Sequence, residues 1–362
     1  MTTAASESAA AQPEPRVDGP RQKRRRPTLR WVVRAVIFVA VTAGVFGLLP
    51  RLGGLTHDTA ELRHARPALV AASIVAQAAS LGCYALLYRR MLASLGAKIR
   101  VRLAEQVVLA SFLVSHITPF GSAAGTVLNV STLESEGIPA STSGEAIGLT
   151  TLVSSTALIS LFGAGFVATA GRHLSRSYLI TAGLAIALVA LLVAAALTVG
   201  AHPGIAEKTV RRMASWARRV RPSIDPEQAG QTARRLASLA RTALTGRSLA
   251  ENYGFAAANL LFDLLSLDLM FLAFGYQPGF GPVTVAYAAA NIASVIPITP
   301  GGLGVIEVTL VAITVGFGAS RPTAVLAVLG YRIVEFWLPL LPGAVAYLRI
   351  RLNARVARRA KA

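Results

Sequence analysis

Residues 298–302 read I-T-P-G-G, and residues 117–121 read I-T-P-F-G. The two stretches start 181 residues apart, and each interrupts a run of apolar residues. Proline removes a backbone donor and collides with the preceding turn, and glycine loosens a helix further. Two such breaks at matching positions in two halves of a hydrophobic chain indicate a transporter, whose site lies at discontinuous helices near the membrane midplane. We therefore expect the function of this chain at these two breaks.

The composition is that of a membrane protein. Of the 362 residues, 54% are hydrophobic and 15% are charged, and the mean hydropathy is +0.56. That is too apolar for a water-soluble domain of this length. Six runs approach the roughly 20 residues needed to cross a bilayer: 35–49, 67–88, 146–170, 178–200, 252–274 and 323–348. The first follows 30 polar residues without a cleavage-site pattern, so we interpret it as a retained span and not as a signal peptide.

The net charge of +19 comes from basic clusters beside the apolar runs. This placement favours contact with anionic lipid headgroups over binding of nucleic acid. Residues 1–30, with seven basic residues, predict a disordered tail, and residues 351–362 form a second basic tail. Residues 201–250 contain ten basic and three acidic residues, with apolar residues at helical spacing. They predict amphipathic helices on the membrane surface, with a solvated linker as the alternative.

The distribution of basic residues tests whether the two breaks cross the membrane. If both segments cross, 20 basic residues lie on the cytoplasmic side and 14 lie outside. If both enter and leave on the same side, the numbers become 28 and 6. Because cytoplasmic loops carry the excess of Lys and Arg, the second topology is favoured. It places both termini and the 201–250 segment in the cytoplasm.

This topology has an internal symmetry. It predicts an all-α polytopic membrane protein with about six full spans and two re-entrant helical hairpins, arranged as an inverted repeat. Irregular backbone at membrane depth is tolerated only where it is buried in protein or lines a wet cavity. We therefore expect a cavity between the two hairpins.

Residues 296–307, I-P-I-T-P-G-G-L-G-V-I-E, resemble the lysylphosphatidylglycerol synthase transmembrane-region family, also described as flippase-like or UPF0104 proteins. Residues 331–343 are similar to the family's R-x-x-x-F-W-x-P-x-x-x-G run, and the resemblance extends over about residues 30–350. The first break lacks the acidic residue that many members carry there, since residues 123–126 read A-A-G-T. Members that make lysylphosphatidylglycerol carry a C-terminal aminoacyltransferase domain, for which the residues after 350 are too few. The resemblance thus implies the flippase-like membrane module without synthase activity.

Glu307 and Arg332 are candidates because an ionisable group at membrane depth costs roughly 2.5 kcal/mol or more unless it is paired or hydrated. Glu307 alternatively complements the dipole of the half-helix that follows the second break. Arg332 suits a bidentate phosphate contact. It alternatively pairs with Glu335, three residues on, or with Glu307 across the cavity. We predict that Glu307 and Arg332 meet in the empty protein.

Further polar residues lie near the breaks or in the spans. Asp263 and Asp268 are five apart and do not share a helix face, and we favour Asp263 as the residue that lines the cavity or relays a proton. For His116 there are two interpretations: it titrates near neutral pH in a coupled transporter, or it hydrogen-bonds to the backbone of the interrupted helix. Asn291 suits the second role. The predicted translocation set is Thr118, Pro119, Gly121, Thr299, Pro300, Gly301, Gly302, Gly304, Glu307 and Arg332. The predicted coupling or structural set is His116, Asp263, Asn291 and Glu335.

Motifs for nucleotides, cofactors and metals are missing from the sequence, so we expect no cofactor, no metal and no enzymatic activity. The leading hypothesis is a bacterial inner-membrane protein that moves a lipid or lipid-linked anionic headgroup between leaflets. One alternative is an ion-coupled transporter of a small solute that uses Glu307 and His116. Another is a scaffold whose basic loop recruits a separate transferase. Homo-oligomerisation is left open.

Overall fold

The computed structural model describes Gly47 and residues 65–118, 121–169, 202–219, 225–243, 246–294 and 300–360. These residues form helices and contain no strand. In chain order the helices are Pro67–Ser94 (α1), Val101–Ile117 (α2), Gly121–Ser135 (α3), Ala140–Thr169 (α4), Pro203–Ala217 (α5), Pro226–Ala243 (α6), Gly246–Ala273 (α7), Phe280–Ser294 (α8), Val305–Gly316 (α9), Arg321–Arg332 (α10) and Leu338–Ala360 (α11). A 3₁₀ turn, Pro300–Gly302, precedes α9, and a π-helical turn, Ile333–Trp337, joins α10 to α11.

Four of the described segments are long and apolar enough to cross a membrane. They are Pro67–Ser94, Ala140–Thr169, Arg247–Ala273 and Arg321–Val356. The predicted spans at 67–88, 146–170, 252–274 and 323–348 coincide with them, so these four predictions are confirmed as helices. The runs 35–49 and 178–200 lie outside the described residues, Gly47 apart. The total of six spans and the inverted repeat therefore stay predictions.

Helices α1 and α7 pack along each other through small and polar side chains. The Ser73 and Ser266 hydroxyl oxygens lie 2.8 Å apart, and the Asn259 amide donates to the Ser80 hydroxyl over 2.8 Å. In a bilayer the two helices gain little by burying apolar surface against each other, because the lipid tails are equally apolar. Close packing and hydrogen bonds between the helices therefore supply the attraction. This pair forms one wall of the cavity described below.

Both I-T-P-x-G motifs interrupt helices, as predicted. Helix α2 ends at Ile117 and α3 begins at Gly121; α8 ends at Ser294, and α9 begins at Val305. These four helices contain 17, 15, 15 and 12 residues, fewer than the roughly 20 that cross a bilayer. The members of each pair pack together. At Gly125 the approach is so close that a Cβ would lie 2.7 Å from the Ser111 carbonyl oxygen. That each pair enters the membrane as a re-entrant hairpin, and from which side, stays a prediction.

Helices α5 and α6 lie within the basic 201–250 segment and pack against each other. The Arg235 guanidinium donates to the Glu145 carboxylate over 2.6 Å and so ties α6 to the start of α4. At the same end of the molecule, Arg90 near the end of α1 pairs with Glu251 near the start of α7. The predicted helices in this segment are confirmed, whereas their position at a membrane surface stays a prediction.

Candidate functional site

Arg332 is the centre of a buried charge cluster. It is 1% exposed and ranks first by volume among the fully buried side chains of the described residues. Its Nε donates to Glu307 Oε1 over 2.7 Å, and its Nη1 donates to Glu335 Oε2 over 2.6 Å. Its Nη2 donates to the Gly301 carbonyl over 3.0 Å. Both pairs that the sequence offered for Arg332, with Glu307 and with Glu335, are present, and all three guanidinium nitrogens have a partner. Contrary to the expectation from the sequence, the pair with Glu307 is buried in protein and does not lie across a cavity.

The local helix geometry brings these groups together. Arg332 ends α10, and the following π-helical turn carries Glu335, three residues on and on the same side. Such single π turns inside α-helices are frequent at functional sites. Glu307 is supplied by a different helix and lies in the first turn of α9. Its Oε2 accepts the Gly304 backbone N–H over 2.6 Å, so the same carboxylate caps this helix and pairs with the arginine.

Gly301 brings the two helix breaks into contact. Its φ of +63° lies in the left-handed region that favours glycine. A Cβ here would lie 2.3 Å from the Phe336 ring and 3.2 Å from the His116 ring. His116 directly precedes the first break, and its Nδ1 lies 2.7 Å from the Phe112 carbonyl oxygen. Because a carbonyl only accepts, Nδ1 carries the proton of this bond. The two motifs that repeat in the sequence thus meet in space.

A polar cavity of about 380 Å³ adjoins this junction. Helices α1, α2, α3, α4 and α7 line it together with Glu335. Twelve of its 17 lining residues are polar, and none of the 17 is lysine or arginine. Among the polar ones are Gln77, His116, Asn129, Asn259, Asp263 and Glu335. The cavity lies beside the first break, and its formal charge is negative. None of its described lining residues belongs to α8, α9 or the second break, so a cavity between the two hairpins stays a prediction.

Asp263 lines the cavity and Asp268 does not, as the sequence predicted. Tyr287 donates to one Asp263 oxygen over 2.8 Å, and Tyr331 donates to the other over 3.0 Å. Sequence reasoning did not identify these two tyrosines or Gln77. The signal for Tyr331 was its place directly before Arg332, whereas Tyr287 and Gln77 stand in apolar runs without a motif.

The remaining predicted residues have structural contacts or lie outside the described residues. The Thr118 hydroxyl donates to the Val114 carbonyl over 2.6 Å, and the Asn291 amide donates to the Tyr287 carbonyl over 3.0 Å. Both thus satisfy helix carbonyls near the breaks, which is the role expected of Asn291. Gly121 begins α3, and Pro300 to Gly302 form the 3₁₀ turn. Pro119 and Thr299 are not among the described residues. Within the described part of the chain, no group of three or more His, Cys, Asp and Glu residues suits a metal ion.

Apolar helices of membrane-spanning length, two short broken helix pairs and a polar cavity define an α-helical integral membrane protein. The chain belongs to the lysylphosphatidylglycerol synthase transmembrane-region family, whose profile matches residues 31–343. This match confirms the resemblance that the second break predicted. It places Glu307, Arg332, the cavity and both breaks within the family's membrane region.

Three known proteins are similar to parts of this chain. A UPF0104 membrane protein of Methanothermobacter thermautotrophicus is 34% identical over 85 residues, 24% of this chain and 25% of that protein. The inner membrane protein YbhN of Escherichia coli is 29% identical over 111 residues, 30% of this chain and 35% of that protein. A UPF0104 membrane protein of Pyrococcus horikoshii is 30% identical over 89 residues, 25% and 27% of the two chains. The chain thus spans between a quarter and about a third of the length of these relatives.

Proposed function

We propose that this protein is a transporter, not an enzyme, that moves a membrane lipid between the leaflets of a bacterial inner membrane. The headgroup passes through the polar cavity while the acyl chains stay in the bilayer. One observation carries the proposal, namely a cavity with twelve polar lining residues among helices of membrane-spanning length. Polar groups at such depth are costly unless a ligand or water hydrates them, so they mark a path for a polar group.

The margin of the cavity supports a lipid over a soluble solute. Thr126 lines the cavity and is exposed on α3, and its neighbour Val127 is an exposed apolar residue. An exposed valine beside a polar opening suits contact with acyl chains. The volume of about 380 Å³ lies near the lower end of the roughly 300–1,000 Å³ typical of small-molecule sites. A headgroup fits such a space, whereas a whole lipid does not.

An anionic headgroup reaches Arg332 only by exchange. Each guanidinium nitrogen already has an acceptor, and Glu335 is the partner that faces the cavity, with 17% of its side chain exposed. We propose that a headgroup phosphate replaces Glu335 on Nη1, while Glu307 and Gly301 hold the rest of the guanidinium. A planar guanidinium suits this exchange because its donors point in fixed directions.

The carboxylates and His116 also favour a second candidate, an ion-coupled transporter of a small cationic or hydroxyl-rich solute. A scaffold that recruits a transferase through α5 and α6 does not require a polar cavity, so we place it last. Reconstitution in liposomes separates the three candidates. Lipids with different headgroups are placed in one leaflet, and their transfer is followed by a reaction specific for each headgroup. We expect protein-dependent transfer of at least one headgroup class; a folded protein that transfers none contradicts the lipid proposal.

A further inference from the structure

The site contains more negative than positive groups. Glu307, Glu335 and Asp263 supply three carboxylates, and Arg332 is the one guanidinium among the described residues that contacts any of them. None of the 17 described residues that line the cavity is lysine or arginine. An uncompensated charge in a low-dielectric interior costs far more free energy than a paired one. This imbalance therefore calls for a positive partner.

The excess negative charge faces the cavity. Glu307 is 0% exposed and uses both carboxylate oxygens, one on Arg332 and one on the Gly304 backbone N–H. Asp263 and Glu335, in contrast, both line the cavity. The hydroxyl groups of Tyr287 and Tyr331 solvate Asp263 but do not neutralise it. A positive ligand in the cavity can thus reach Asp263 and Glu335, whereas it cannot reach Glu307.

An unpartnered acceptor independently indicates a ligand in the same cavity. Gln77 is 5% exposed and lines the cavity from α1, and its side-chain carbonyl oxygen has no hydrogen-bond partner within the described residues. A buried polar atom without a partner typically costs 1–3 kcal/mol, so its presence in a native site requires a reason. A carbonyl oxygen is an acceptor and not a donor, which excludes an anion as its partner.

We infer that the Gln77, Asp263 and Glu335 side chains bind one exchangeable monovalent cation, a proton or Na⁺, in the empty protein. Carboxylate and amide oxygens suit both, since a proton converts one carboxylate to an acid that donates to a neighbour, and Na⁺ coordinates oxygen. This inference adds the energy source to the proposed function. An anionic headgroup brings further negative charge, so the bound cation and the headgroup stabilise each other and move together.

Other charged or titratable groups face this position from each packed helix. Arg332 and Tyr331 come from α10, Tyr287 from α8, Tyr84 and Tyr88 from α1, and His116 from α2. Arg332 is already matched by Glu307 and Glu335, and the tyrosines are neutral groups. His116 is the remaining group that can carry a compensating proton. The test therefore includes His116→Asn.

Cation binding is measured on the full chain in nanodiscs of zwitterionic lipid, without any transport. The thermal unfolding midpoint is followed as Na⁺ replaces choline at constant ionic strength, since a ligand of the native state raises the midpoint. Infrared difference spectra between low and high pH detect a protonated carboxyl group in the same samples. We expect either a rise with Na⁺ or a carboxylic-acid band. Asp263→Asn should remove whichever signal occurs, and Gln77→Leu should weaken the Na⁺ response.

Asp268→Asn is the matched control, because it makes the same change five residues along α7 at a position outside the cavity. It should leave either signal intact, as should His116→Asn. The inference is overturned if wild type shows neither signal, if Asp263→Asn and Glu335→Gln both retain it, or if only His116→Asn removes it. Stabilisation by an amine-bearing lipid alone also overturns it. A cation signal without lipid transfer refutes the proposed function and leaves the inference standing. Lipid transfer that does not depend on the cation refutes the inference and leaves the proposed function standing.

Discussion

Arg332 and Glu307 are 25 residues apart in sequence, but the Arg332 Nε and Glu307 Oε1 atoms lie 2.7 Å apart, and neither residue is more than 1% exposed. Their contact fixes the first turn of α9, which directly follows the second helix break, against the end of α10. Through Nη2 the same arginine also binds the Gly301 carbonyl inside that break. Arg332 therefore holds the second break and the start of α9 against the end of α10.

Replacing Arg332 with methionine should destabilise the protein by about 3–5 kcal/mol, because Glu307 then lies buried without its counter-charge. The double variant Arg332→Met, Glu307→Gln should lose less stability than the single variant, since the unpaired carboxylate is gone. Denaturant titrations of the three proteins in one detergent test this. If the double variant is the less stable one, burial of the unpaired charge is not the cause.

The shape of the guanidinium should matter for transport as well as its charge. We expect Arg332→Ala to abolish lipid transfer and Arg332→Lys to restore little of it. A single ammonium on a flexible stem cannot bind Glu307, Glu335 and Gly301 in the directions that the planar group does. Both variants should still insert into the membrane, because each keeps the apolar span. Transfer by the lysine variant at the wild-type rate contradicts the proposed exchange at Nη1.

Gly301→Ala should destabilise the protein by about 1–3 kcal/mol through the left-handed backbone alone. The new Cβ would in addition lie 2.3 Å from the Phe336 ring, so the ring must move. Gly316→Ala is the matched control, because no atom lies within 4 Å of its Cβ position and its φ is not positive. Thermal unfolding of the two variants should differ clearly. Equal midpoints would contradict the left-handed backbone and the close Phe336 contact at Gly301.

Cysteine labelling tests the predicted topology. In a Cys83→Ala background, Ser215→Cys on α5 should not react with an impermeant reagent added to intact cells, whereas Arg321→Cys at the start of α10 should react. Both positions are exposed, so accessibility differs only by side. We expect this difference in labelling because the excess of basic residues in the 201–250 segment favours a cytoplasmic position for it. Labelling of Ser215→Cys from outside contradicts the topology.

Helix α5 should contact the membrane surface through its exposed apolar face. Met213 and Trp216 are 66% and 68% exposed and lie near one another on this face, beside Arg212. Brominated anionic lipid in nanodiscs should quench the Trp216 fluorescence, measured as the difference between wild type and Trp216→Phe. Arg211→Gln, Arg212→Gln should weaken the quenching. Equal quenching by brominated zwitterionic lipid argues against attraction by anionic headgroups.

The sequence predicted the parts of the site that carry a strong local signal. Proline and glycine reveal the two breaks, and an ionisable residue in an apolar run reveals Glu307 and Arg332. Gln77 and Tyr287 could not be identified in this way, because single polar residues in apolar helices often face a neighbouring helix without any function. His116 and Gly301 are 185 residues apart, and their meeting depends on the packing of α2 against the 3₁₀ turn. Local periodicity does not determine such a long-range contact.

The most direct measurement compares headgroup-resolved lipid transfer by Thr126→Trp and Val127→Trp in liposomes. Both residues are exposed on α3, but only Thr126 lines the cavity. If headgroups pass through the cavity, the indole at position 126 should slow transfer by about tenfold or more, a barrier increase of about 1.4 kcal/mol per factor of ten, while the indole at 127 leaves the rate near that of wild type. Wild-type transfer by a folded Thr126→Trp protein contradicts passage through the cavity.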